Sequence, residues 1–198
     1  MNVMMISFVT LLVVIAAGFY AIVLFNGLVY LRNQMDKGWA NIDVLLKQRH
    51  DLVPNFVETV KGYAAHERKT FEAVTTARSA AATVLPQGRG SAPMVAQAEQ
   101  VLGGTLRSLL AVAEAYPELK ANENFLSLQD TLVGIENQIA ERREFFNDAV
   151  NLYNNAIQRL PDVFVARALG YQRATYFTAA AADRAPVAVQ FDSASAGS

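Results

Sequence analysis

His66 and Glu67 open the pattern of a zinc-peptidase helix, in which two histidines four residues apart face one metal. Thr70 stands where the second histidine must be, so the pattern fails. His50 and Asp51 are sequence neighbours and point in different directions on a helix. With only 2 histidines and no cysteine, the chain holds no His-rich or thiolate metal site and no cysteine nucleophile. Carboxylates can hold a hard cation, but Glu114, Glu118, Glu123 and Glu136 have the look of solvated helix faces. Gly88-Arg89-Gly90 lacks the lysine and Ser/Thr of a phosphate loop, and no G-x-S-x-G elbow occurs. We therefore expect no catalytic, cofactor-binding or metal-binding residues and no enzyme. An unfamiliar site of Arg, Asn and Glu is the remaining enzymatic reading.

Other polar residues fall where apolar ones are expected. Arg49, Glu67 and Arg142 occupy seam positions of helical stripes. A lone buried charge is costly, so each should pair with another, or with Asp51, Glu136 or Glu141, or snorkel to water. Asn147, Asn151 and Asn154 are spaced four and three apart, hence on one face of a helix in which asparagine is intrinsically poor. They form either a register-setting polar ladder or an ordinary polar flank.

The elements that carry these residues are helical. Ala, Leu, Val, Glu, Gln and Arg dominate, and 17 basic against 18 acidic residues leave a net charge of −1. That balance offers no field for nucleic acid. Residues 1–25 hold no charged side chain and are long enough to cross a hydrocarbon core of about 30 Å. We expect an uncleaved anchor in residues 1–31, with residues 3–25 in the bilayer. A signal peptide is the rival reading, with Ala16-Ala17-Gly18 near a cut, but the basic n-region is missing. Lys and Arg are absent from residues 1–31 and begin at Arg32. The positive-inside rule then puts the N-terminus outside and the following domain in the cytoplasm.

From Leu28 to Ala82 an apolar stripe at three-four spacing predicts one long helix: Trp39, Ile42, Leu46, Arg49, Val53, Phe56, Val60, Tyr63, Glu67, Thr70, Val74 and Ala77. Pro54 implies a kink or break near His50, with Asp51 able to cap a restart. Thr83 to Pro93 reads as a loop and Pro93 to Ala115 as a second helix, its centre weakened by Gly103-Gly104 unless something approaches closely there. A third helix is expected from an Asn122 or Asn124 cap to Leu160, and a fourth over Asp162 to Ala168 ending at Gly170. Tyr171 to Ala182 reads as further helix, and residues 183–198 as an extended or disordered tail. The fold class is all-α: a transmembrane helix followed by an antiparallel up-and-down bundle of long helices over residues 32–182. Because the second helix is short, part of the seam near Trp39 to Phe56 could lack a lid, which a homo-oligomer, another membrane protein, the fourth helix or a bent first helix would equally supply.

The strings RNQMDKGWANIDVLLKQRHDLVPNFVETVKGYAAHE (Arg32–Glu67), YPELKANENFLSLQ (Tyr116–Gln129) and ENQIAERREFFNDAVNLYNNAIQRLP (Glu136–Pro161), with the late P-V-A-V-Q-F, resemble the LemA family from about Leu28 to Phe191. The departures are mild: Phe146 and Tyr171 stand where Tyr and Phe are common. The resemblance implies a single-pass protein of the bacterial inner membrane with a helical domain and no agreed activity. It leaves two non-enzymatic readings, a structural or adaptor protein and a signalling module worked through Pro54.

Overall fold

A computed structural model describes residues 2–178. The apolar N-terminal segment does not end before the bundle begins. Helix α1 runs unbroken over Asn2–Lys61, 60 residues or about 90 Å. Its apolar N-terminal part is long and apolar enough to cross a membrane, and its side chains there are exposed. Beyond it Met35, Trp39, Ile42, Leu46, Val53, Phe56 and Val60 are buried, as the stripe requires.

The expected single helix to Ala82 is corrected here. Amides of Gly62, Tyr63 and Ala64 bond back to Glu58 and Val60, and the chain turns. Glycine near a helix end lowers the cost of leaving it. Helix α2 (Arg68–Val84) then returns along α1, burying Val74 and Ala77 as expected, Phe71 in place of Thr70, and Ala81. Thr70 is only half-buried and Tyr63 is exposed. The expected loop contracts to two 3-10 turns, Leu85–Gln87 and Arg89–Ser91, and Arg89 pairs with Asp36 to tie them to α1. Helix α3 (Ala92–Glu114) rises again with proline in its first turn. The short α4 (Pro117–Lys120) leads into α5 (Glu123–Ala156), capped by Asn122, whose side chain accepts from the Phe125 amide at 3.0 Å.

Helix α5 runs back down α1. Phe125 packs on Phe56 at 5.8 Å between ring centroids, and Phe146 meets Trp39 edge-on at 5.7 Å. Gly38 permits that approach, since a Cβ there would lie 3.3 Å from the Phe146 Cα. The bundle is thus up, down, up, down: up-and-down packing as expected, with one reversal more than a single helix to Ala82 implied. Helix α5 ends four residues short of the expected Leu160. Helix α6 (Asp162–Ala168) follows, with Gly170 at φ 69° beyond its end.

The seam from Trp39 to Phe56 does have a lid, contrary to the suggestion of an uncovered stripe. Helix α5 lies along it, and Phe177 closes on Trp39 at 6.1 Å. Phe177 arrives from the segment after Gly170, which is not the expected helix. The remainder of that expectation, Ala179 to Ala182, and the tail 183–198 lie outside the described residues.

Candidate functional site: a buried ionic layer between two cores

The apolar interior has two parts. One, nearer the anchor, gathers Leu28, Met35, Trp39, Leu46, Ala96, Ile139, Phe146, Tyr153 and Phe177. The other gathers Val53, Phe56, Val60, Val74, Leu102, Leu109, Phe125 and Leu132. Between them, on α1, α3 and α5 at one level, sit Arg49, His50, Glu99 and Glu136. The Arg49 guanidinium donates from Nη1 to Glu99 Oε2 at 3.1 Å and from Nη2 to Glu136 Oε1 at 2.8 Å. Glu99 Oε1 lies 2.6 Å from His50 Nε2. Arg49 and Glu99 are 3% and 6% exposed, so the pair is taken out of water and its carboxylates are what make the burial tolerable.

Two backbone features make room for it. A Cβ on Gly103 would stand 2.9 Å from Arg49 Nη2, so the close approach expected at Gly103-Gly104 is that of a guanidinium to Gly103 alone. Pro54 removes the amide that would bond the His50 carbonyl. Arg78 of α2 supplies the missing donor, its Nε reaching that carbonyl at 2.6 Å. The helix therefore passes Pro54 unbroken, which decides between the two alternatives, kink or break, in favour of a continuous helix.

A cavity of about 370 Å³ opens beside the layer, lined by Arg49, Glu99, Gln100, Arg107, Glu136 and Arg143 among others. Arg49 Nε is buried there with no hydrogen-bond partner. Arg143 lies 5.1 Å over the Phe177 ring. Desolvation lowers the Arg143 pKa, with Glu136 opposing the shift; the guanidinium stays charged. The arrangement holds charge between the two apolar cores. It offers no nucleophile beside a base, and among the described residues no His, Cys, Asp and Glu cluster is suited to a metal.

The sequence-selected residues are distributed as follows. Arg49 and Glu136 are brought together. Arg142 is exposed, and Glu67 is half-buried at the start of α2. The asparagines divide: Asn151 is exposed and accepts from Asn155, whereas Asn147 and Asn154 clamp the chain after α6. Asn154 accepts from the Ala174 amide at 2.8 Å and donates to the Ala174 carbonyl at 2.9 Å. Asn147 does the same at Phe177, at 2.8 and 3.4 Å. Two helical turns cover about 10.5 Å, the reach of three extended residues, so the pairing 147–177 and 154–174 fits an extended strap. Tyr153 adds its hydroxyl to the Gln172 carbonyl at 3.1 Å. Glu99 was missed. Its signal lay in the spacing Val95, Glu99, Leu102, Leu106, which puts a carboxylate on the buried face of α3.

Residues 38–191 match the LemA family model. The chain belongs to the LemA family. Magnetosome proteins MamQ 1 and MamQ 2 of Paramagnetospirillum magneticum are each 27% identical over 184 residues, covering 82% of this chain and 68% of theirs. Magnetosome protein MamQ of Magnetospirillum gryphiswaldense is 26% identical over the same extent. With its apolar N-terminal helix, this LemA-family chain is a membrane-associated protein.

Proposed function

We propose that this LemA-family protein is a non-enzymatic structural or adaptor protein, anchored in a bacterial inner membrane by residues 3–25 with its bundle on the cytoplasmic side. The observation that carries this reading is the continuity of α1, which passes from the apolar segment into the bundle core with no linker. A domain meant to diffuse or bind independently of its anchor is better served by a flexible joint. A bundle built on the anchoring helix holds its outer surface at a fixed place above the membrane. The charge step at Arg32 supports the orientation. The relatives are named for the magnetosome, a structure rather than a reaction, which accords with the reading. With the inner seam covered, a second copy or another membrane protein would dock outside, where α5 exposes Leu126, Val133, Phe145 and Leu152.

Protease treatment of spheroplasts carrying the C-terminally tagged chain, followed by crosslinking in the membrane, tests this. We expect a protected tag and adducts above the monomer mass. A tag digested without lysis reverses the orientation, and a strictly monomeric chain without adducts ends the adaptor reading.

A signalling module is the second reading, favoured by the Pro54–Arg78–His50 connection, which couples α2 to the ionic layer. If Pro54→Ala changes only stability, leaving phenotype and conformational exchange untouched, that reading falls.

A further inference from the structure

We propose that α6 and its flanks form a second membrane contact, lying in the interface of the bilayer that residues 3–25 cross; this rests on the anchor reading above.

Phe164, Val165, Ala168 and Leu169 face Ala21, Ile22 and Phe25 of α1 across a groove of about 460 Å³ whose named walls are all apolar. Leu160, Phe164 and Leu169 are 73%, 66% and 53% exposed, large apolar side chains left in water unless something covers them. The identity of the cover follows from the other wall. Ala21, Ile22 and Phe25 belong to the membrane-crossing segment, so the medium filling a groove beside them is acyl chain. Counting back from Phe25 at 1.5 Å per residue, Ala21 lies about 6 Å inside the end of the span. Interfacial helices bury their apolar face to a similar depth, about 5–10 Å.

The charges agree with that placement. Arg159, Arg167 and Arg173 surround the segment, and Arg32 leaves the span on α1. All four are cations suited to lipid phosphates. The segment's one carboxylate, Asp162, is buried and accepts from Arg159 Nε at 2.9 Å. No unpaired acid in the segment faces the headgroups. The bundle therefore stands on the membrane with two supports, the anchor and α6.

The chain has no cysteine, so single cysteines report cleanly. An environment-sensitive fluorophore on Phe164→Cys or Leu169→Cys of the full chain, in liposomes with brominated acyl chains, reads lipid contact directly. Ile15→Cys marks the span. Val133→Cys, exposed on α5 about 36 Å along the rod from Phe25, marks the bundle. We expect quenching at 164 and 169 of about half that at 15 or more, and little at 133. Quenching at 164 and 169 no greater than at 133, with 15 quenched, overturns the second contact and spares the anchor. No quenching at 15 removes the anchor reading and this proposal with it. Disulfide-linked dimers through Phe164→Cys, without lipid quenching, overturn it in favour of a second copy. A second variant, Phe164→Ser with Leu169→Ser, alters only exposed side chains; with helical content intact, it should lower the quenching of a label at Leu160→Cys by about half or more.

Discussion

Arg49 draws its consequence from its neighbours rather than from its own charge. Removing it leaves Glu99 buried against His50 without its cation, and Arg49→Ala is expected to cost about 3–5 kcal/mol in a denaturant titration. The Glu136 side chain is 43% exposed, and Glu136→Ala should cost under about 1 kcal/mol because water screens that half of the pair. The two adjacent glycines of α3 should answer the same substitution with opposite signs. Gly104 has nothing within 4 Å of an added Cβ, so Gly104→Ala should stabilise by about 1 kcal/mol. Gly103→Ala gains the same propensity but strikes the Arg49 guanidinium, and a net loss of about 1–2 kcal/mol is expected. Equal midpoints for the two variants would mean that the guanidinium moves aside freely. The sequence carried half of this site: Arg49 on a seam and Glu136 as a candidate partner. Glu99 was hidden because a single glutamate among Val95, Leu102 and Leu106 reads as a flank unless the stripe is phased through it.

At the scale of the element, Pro54 and Arg78 should behave as one unit. Arg78→Ala leaves the His50 carbonyl without a donor and should cost about 1–2 kcal/mol. In a Pro54→Ala background the alanine amide can take over, so the penalty should shrink by at least about 0.5 kcal/mol in a double-mutant cycle. Additive effects would show that the alanine amide does not take over from Arg78 at the His50 carbonyl. The strap has its own signature. Burial raises the Tyr153 phenol above its usual pKa near 10. Its neutral form is the one favoured in the folded state, so the contribution is complete below about pH 10 and lost as pH rises through the raised value. Amide exchange at Ala174 should accelerate over that alkaline range beyond the intrinsic base-catalysed rise, and Asn154→Ala should produce the same local release at neutral pH. Helix boundaries marked by Pro93, Asn122 and Gly170 were legible because those residues act locally. The turn at Gly62 was not, since Val74 and Ala77 keep the expected three-four stripe beyond it. Nor was the strap, whose partners are side chains on another helix.

For the molecule as a whole, the all-α architecture and up-and-down packing were readable from periodicity, though not the reversal at Gly62, and the long strings shared with the LemA family pointed the same way. What periodicity leaves undetermined is how the helices slide along one another. An apolar stripe packs nearly as well one turn out of register. A layer of Arg49, His50, Glu99 and Glu136 set between two apolar cores penalises every shifted arrangement, because each strands a buried charge. Replacing Arg49, His50, Glu99 and Glu136 together with Leu or Met should therefore preserve or raise the unfolding midpoint while broadening side-chain NMR lines. A sharp spectrum would show that packing alone selects the register.

The unbroken α1 also makes the molecule a lever. From Phe25 to Lys61 it extends about 54 Å beyond the span. Single-pass helices commonly tilt by about 20°, and a change of that size at the anchor would sweep the far end of the bundle sideways by about 18 Å. On the proposed anchoring, a change in bilayer thickness taken up as tilt would reach the far end of the bundle at that scale, and the proposed α6 contact is what would resist it.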